Sequence, residues 1–168
     1  MICALLVIAG AHKVLRPRAA RESLALVGIH APVLAVRALG AVEVALGVVA
    51  AGWPSVITGT LVAVVYGAFC VFVAVLLVQE QGEAADCGCF GGGEHSAGWL
   101  HVALNAVGCV VAVAGTVAGA HGLGWILSRS ALVAPSLVIG MLAATYAAYL
   151  AYTLVPRVWA SYGTEAAR

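Results

Sequence analysis

From Val56 to Val78 the chain runs without one Asp, Glu, Lys or Arg, and no other feature narrows its folding options as far. A stretch of about 18 or more residues with few charges is long enough, at about 1.5 Å per residue, to cross the roughly 30 Å hydrocarbon core of a bilayer. Similar stretches run from about residue 32 to 52, 99 to 120 and 131 to 155. In lipid each must satisfy its own backbone hydrogen bonds, which makes it a helix. Only 9% of the 168 residues are charged and 64% are hydrophobic, against about 25% charged in soluble domains. The expected fold is therefore all-α: a polytopic transmembrane bundle of four to five helices, forming one domain over residues 1–156, with a short polar tail at 157–168. A formal net charge of +1 and the lack of a basic tract exclude nucleic acid as a partner and leave the lipid bilayer as the first one.

The first segment, residues 2–15, spans only about 21 Å, less than the hydrocarbon core. Ala9-Gly10-Ala11 resembles a signal-peptide cleavage site, but a signal carries its positive charge before the apolar run. Here His12 and Lys13 follow it, so the segment reads as a first membrane helix, clipped by a start codon placed too late. Residues 16–31 form a basic connector in which Arg21, Glu22 and Ser23 precede Leu24, Leu26, Val27 and Ile29, a pattern suited to a short interfacial helix. Trp53-Pro54-Ser55 is a turn, and residues 121–130 are expected to be a loop. Gly59, Ala63 and Gly67 recur every four residues in the third span, and Gly115 and Gly119 make a G-x-x-x-G in the fourth. Both patterns permit close helix contact. Trp53, Trp99, Trp125 and Trp159 all fall at span ends, as an aromatic belt requires.

Chemistry concentrates in the one long polar loop, residues 79–98. Its Asp86-Cys87-Gly88-Cys89-Phe90-Gly91-Gly92-Gly93 places two cysteines one residue apart. A disulfide between them would close a small ring, and geometry outside the preferred range makes such a bond easier to reduce. Gly88 can take the backbone angles this ring demands, and the later glycines keep the backbone open to a partner. Cys87, Cys89 and His95, with Asp86 and Glu94 nearby, also allow a soft or borderline metal ion, although C-x-C-x5-H is not a closed zinc set. A third reading makes the pair a structural staple.

A few polar residues are costly where they stand. Glu43 lies in the middle of the second span, where a charge costs at least about 2.5–3.5 kcal/mol, so it must face the bundle and find a partner or a proton. Lys13 and Arg37 are the candidate partners. An interhelical ion pair is the favoured reading, and a proton relay for thiol chemistry the other. His101 and Asn105 share one face of the fourth helix just below the cysteine loop. There they either help to stabilise a thiolate or act as interhelical hydrogen-bond glue. Cys3, Cys70 and Cys109 read as small core hydrophobes, the last two at a similar depth.

Cys-Gly-Cys-Phe-Gly at 87–91, followed by a helix opening on Trp99 and carrying Asn105, resembles the MauE family of methylamine-utilisation proteins. Gly40-Ala41-Val42-Glu43-Val44-Ala45-Leu46-Gly47 and Ala11-His12-Lys13 are similar to the Glu- and Lys-bearing first helices of that family and of the wider DoxX-like membrane proteins. The resemblance covers about residues 2–120. One difference is Leu104, which stands where a basic residue is expected before the Asn. The resemblance implies a bundle similar to vitamin K epoxide reductase, with Cys87 and Cys89 as the redox pair and Lys13, Glu43, Phe90, Gly91, His101 and Asn105 in support. It also implies a thioredoxin-like partner and a role in maturing a disulfide-rich extracytoplasmic protein, as in methylamine dehydrogenase. A quinone acceptor follows from the vitamin K epoxide reductase analogy and from no residue here.

The expected activity is thus thiol–disulfide exchange. Five spans put the basic connector, the cysteine loop and the tail on one face. The count of Lys and Arg would place that face in the cytoplasm. Disulfides persist outside the cytoplasm, and on that ground the loop is expected on the extracytoplasmic side.

Overall fold

The computed structural model describes residues 1–79 and 98–154, and among these all regular structure is helical. Seven helices follow in chain order: α1 (Ile2–Leu15), α2 (Pro17–Leu26), α3 (Val33–Gly52), α4 (Val56–Gln79), α5 (Trp99–Val117), α6 (Leu123–Leu127) and α7 (Val133–Thr153). By length and hydropathy α3, α4, α5 and α7 can each cross a membrane, and α1 is a shorter apolar helix. The protein is a multi-pass membrane bundle.

Local chemistry sets the helix ends. Pro17 cannot continue α1 but suits the first turn of α2, where its missing N–H leaves no bond unmade. Ser55 and Thr58 cap α4 reciprocally: the Thr58 N–H donates to Ser55 Oγ at 3.1 Å, and the Ser55 N–H to Thr58 Oγ1 at 2.9 Å. Pro135 sits in the first turn of α7.

Two glycines end helices by taking the left-handed conformation, Gly28 at φ 80° and Gly119 at φ 65°. After α5 the Ala120 N–H donates to Gly115 O at 2.8 Å and the Gly119 N–H to Thr116 O at 3.3 Å. After α2 the Ile29 N–H donates to Leu24 O at 2.9 Å and the Gly28 N–H to Ala25 O at 3.0 Å. Both are Schellman stops. This corrects the G-x-x-x-G expectation: Gly119 lies past the end of α5 as its stop signal, and the helix ends at Val117 instead of running to residue 120. The expected loop at 121–130 also holds the short helix α6, where the Trp125 ring stacks on His121 at 4.6 Å and lies beneath the Arg129 guanidinium at 3.8 Å.

Two antiparallel helix pairs form the core, α1 with α3 and α4 with α5. On α3 the buried residues are Val36, Gly40, Glu43, Gly47 and Ala50, at alternating four- and three-residue steps that keep one seam turned inward. A Cβ on Gly10 would lie 2.5 Å from Gly40 O, and one on Gly40 would lie 2.6 Å from Gly10 O, so the two backbones touch. In the second pair Gly59 faces Thr116, Gly67 faces the Cys109 sulfur, and the Tyr66 ring lies over Gly108. Leu6, Ala50, Val62, Ala63, Tyr66 and Ala112 meet where the pairs join. A second cluster of Val73, Leu76 and Leu77 closes the end of α4 nearer the cysteine segment, with Val27 packed on it from beyond α2. Large apolar side chains such as Leu34, Val42, Val64 and Val110 point outward, as they must in a bundle whose solvent is hydrocarbon. Trp53 and Trp99 are exposed at span ends, as a belt residue should be.

Candidate functional site

The close approach of Gly10 and Gly40 brings Lys13 to Glu43. Lys13 Nζ donates to Glu43 Oε2 at 2.8 Å, and both side chains are buried. The Lys13 ammonium also lies 4.6 Å from the centre of the Phe69 ring, on α4. Glu43 Oε1 has no partner among the described residues. Of the two partners weighed for Glu43, the structure selects Lys13, while Arg37 points outward.

A second polar group forms at the start of α5. Gly98 is the N-cap, and its N–H donates to His101 Nδ1 at 3.3 Å. Asn105, one turn on, donates from Nδ2 to the His101 carbonyl at 2.8 Å and accepts the Tyr152 hydroxyl of α7 at 3.4 Å. The Tyr152 ring meets the His101 imidazole edge-on, centroids 5.8 Å apart. His101, Asn105 and Tyr152 are each at least 95% buried.

Between the two groups lies a cavity of about 20 Å³, bounded by Leu5, Leu6 and Ala9 of α1, by Tyr66 and Phe69, and by the His101 group. It has room for about one water molecule. Phe69 separates the groups, with Lys13 on its ring and the cavity against it. Tyr66 ties α4 to α1 by donating to Ile2 O at 2.8 Å.

Cys87, Cys89, Phe90 and Gly91, together with Asp86, Glu94 and His95, lie outside the described residues. What is described is the frame they attach to: α4 ends at Gln79 and α5 begins at Trp99, so the His101 group stands in the first turns after that segment. Among the described residues no three His, Cys, Asp or Glu side chains gather as a metal site. Cys3, Cys70 and Cys109 are free thiols. Cys70 reaches the Val102 carbonyl at 3.6 Å and Cys109 lies beside Gly67, which sets them about one helical turn apart in register instead of face to face.

A larger apolar groove of about 1000 Å³ opens at the other end of the bundle. Its walls include Val62 of α4, Val111 and Thr116 of α5, and Met141 and Thr145 of α7. From Val62 to the last residue of α4 is about 25 Å along the helix. The groove therefore opens at the end of the bundle away from the last turn of α4 and the first turn of α5.

Sequence reasoning missed Tyr66, Phe69 and Tyr152. Aromatic residues in apolar spans carry no mark of their own, and the phenolic oxygens of Tyr66 and Tyr152 were the available signal, since a buried hydroxyl needs a partner.

Compared with known proteins, residues 1–118 match the family described as Methylamine utilisation protein MauE. The match covers α1 to α5 and stops before α6 and α7. No curated protein and no solved structure matches the chain.

Proposed function

The chain belongs to the MauE family of methylamine-utilisation proteins, and from that premise we propose that it is a membrane thiol–disulfide oxidoreductase whose working pair is Cys87 and Cys89. One observation carries the reading. The only Cys-x-Cys of the chain falls within the family-matched residues, in the segment that joins the two helices of the α4–α5 pair. The polar group at the start of α5 supports it. A thiolate forming near that helix end meets hydrogen-bonding side chains, and such contacts favour the ionised sulfur.

The exchange balances without a further cofactor. A thiolate of a substrate protein attacks the Cys87–Cys89 disulfide, forming a mixed disulfide and releasing one loop thiolate, which takes up a proton. The second substrate thiol loses its proton and attacks the mixed disulfide, leaving the substrate oxidised and the loop reduced by two electrons and two protons. The disulfide of a thioredoxin-like protein, attacked in turn by the loop thiolate, restores the pair and leaves as a dithiol. No step of this exchange needs a quinone. The substrate on this reading is a disulfide-rich extracytoplasmic protein of the methylamine dehydrogenase kind, with the loop facing it.

Cys87→Ser and Cys89→Ser should each abolish oxidation of the substrate while the protein still inserts at normal levels. Sustained substrate oxidation by the double variant would remove the redox reading altogether.

A further inference from the structure

The first half of α7, residues 133–144, buries none of its side chains, whereas the second half buries Thr145, Tyr152 and Thr153. Between that first half and the rest of the bundle lies the groove of about 1000 Å³. Met141, on its wall, stands about 12 Å along α7 from Val133, so the groove reaches well into the depth of the spans. The wall hydroxyls at this depth are already engaged. Thr116 donates to Ala112 O at 2.8 Å and Thr145 to Met141 O at 2.8 Å. Water placed here would find few partners, and an empty space of this size would forfeit contacts along every wall. Hydrocarbon is the filling that such walls fit.

At the end of the groove α6 adds a polar rim. His121 and Ile126 belong to the wall, the Trp125 ring stacks on His121, and the Arg129 guanidinium lies over Trp125. The rim is fixed in place, because a Cβ on Gly122 would lie 2.6 Å from Pro54 Cδ and 2.7 Å from Gly52 O, so the backbone entering α6 rests on the turn between α3 and α4. Among the described residues the carboxylates are Glu22, on α2 at the opposite end, and Glu43, paired with Lys13. The rim is therefore basic and unneutralised. We propose that the groove seats one anionic phospholipid, with its acyl chains between α7 and the α4–α5 pair and its phosphate at Arg129 beside His121. The lipid supplies the packing that the first half of α7 lacks. A helix of a second copy would bring hydrocarbon to the groove but no described carboxylate for Arg129. This inference stands apart from the thiol–disulfide reading.

The test titrates the full chain, purified in detergent and stripped of lipid, with phosphatidylglycerol or phosphatidylcholine of identical chains, and reads bound lipid by native mass spectrometry. The first phosphatidylglycerol should bind about fivefold more tightly than phosphatidylcholine, the scale of one basic residue near an anionic headgroup. Arg129→Gln, at an exposed position, should remove that preference and leave phosphatidylcholine binding as it was. Val111→Trp, which fills the groove from α5, should abolish the first binding event for both lipids. Leu142→Trp fills it from α7 and takes over where Val111→Trp does not fold. Equal affinity for the two lipids in wild type, or wild-type binding by a folded groove-filling variant, would overturn the site. Two other occupants would also overturn it: a retained quinone mass in place of the lipid, or a second copy, seen as a disulfide dimer of Leu142→Cys in a chain without its other cysteines.

Discussion

Lys13 and Glu43 put two charges where the surroundings are hydrocarbon. Their one short bond must offset the desolvation of both, and Glu43 Oε1 lacks a partner among the described residues. Such a pair contributes little net stability, yet breaking it strands a buried charge. Glu43→Leu or Lys13→Met alone should destabilise the folded protein by about 3–5 kcal/mol, while the double variant should come close to wild type. Reversible unfolding in detergent across the four-protein cycle measures this, and additive single effects would show that the two charges do not depend on each other. At this scale the sequence disclosed Glu43, His101 and Asn105 because each is polar in an apolar run. Phe69 and Tyr152 stayed hidden, since an aromatic residue in a span looks the same whether it faces lipid or a neighbouring ammonium.

Glycines decide how the helices pair, and they do not all do the same work. Gly40 faces the Gly10 carbonyl so closely that even Ala cannot be fitted without parting α1 from α3, whereas a Cβ on Gly115 would meet Ala120 at an ordinary 3.6 Å. Gly40→Ala should lower the yield of folded protein and weaken cross-linking between cysteines placed on α1 and α3, and Gly115→Ala should do neither. Gly119→Ala should cost about 1–2 kcal/mol for a different reason, since it forces a side chain into the left-handed region. Thermal unfolding of the two α5-end variants separates these causes. The sequence showed each glycine and its spacing. It could not show that Gly119 had left the helix, because a four-residue spacing reads alike for a packing face and for a helix followed by its stop.

Across the whole molecule, α3 and α4 return the chain to the end of the bundle from which α2 departed, so the basic connector, the last turn of α4 and the first turn of α5 lie at one end. In a protein with Cys3, Cys70 and Cys109 replaced by Ser, a membrane-impermeant thiol reagent should reach Cys87 and an introduced Arg21→Cys from the same side of intact cells. Labelling from opposite sides would mean that α3 or α4 does not span. That the chain is all-helical, with four stretches long and apolar enough to cross a bilayer, was legible in the chain alone, because apolar length against bilayer thickness is a local property that each stretch carries by itself. The choice of Lys13 over Arg37 for Glu43, the meeting of Tyr152 with His101 and Asn105, and the opening of the large groove at the end of the bundle away from the last turn of α4 were decided only in three dimensions. Each depends on how helices rotate and pair with one another, and no single stretch encodes that apart from its neighbours.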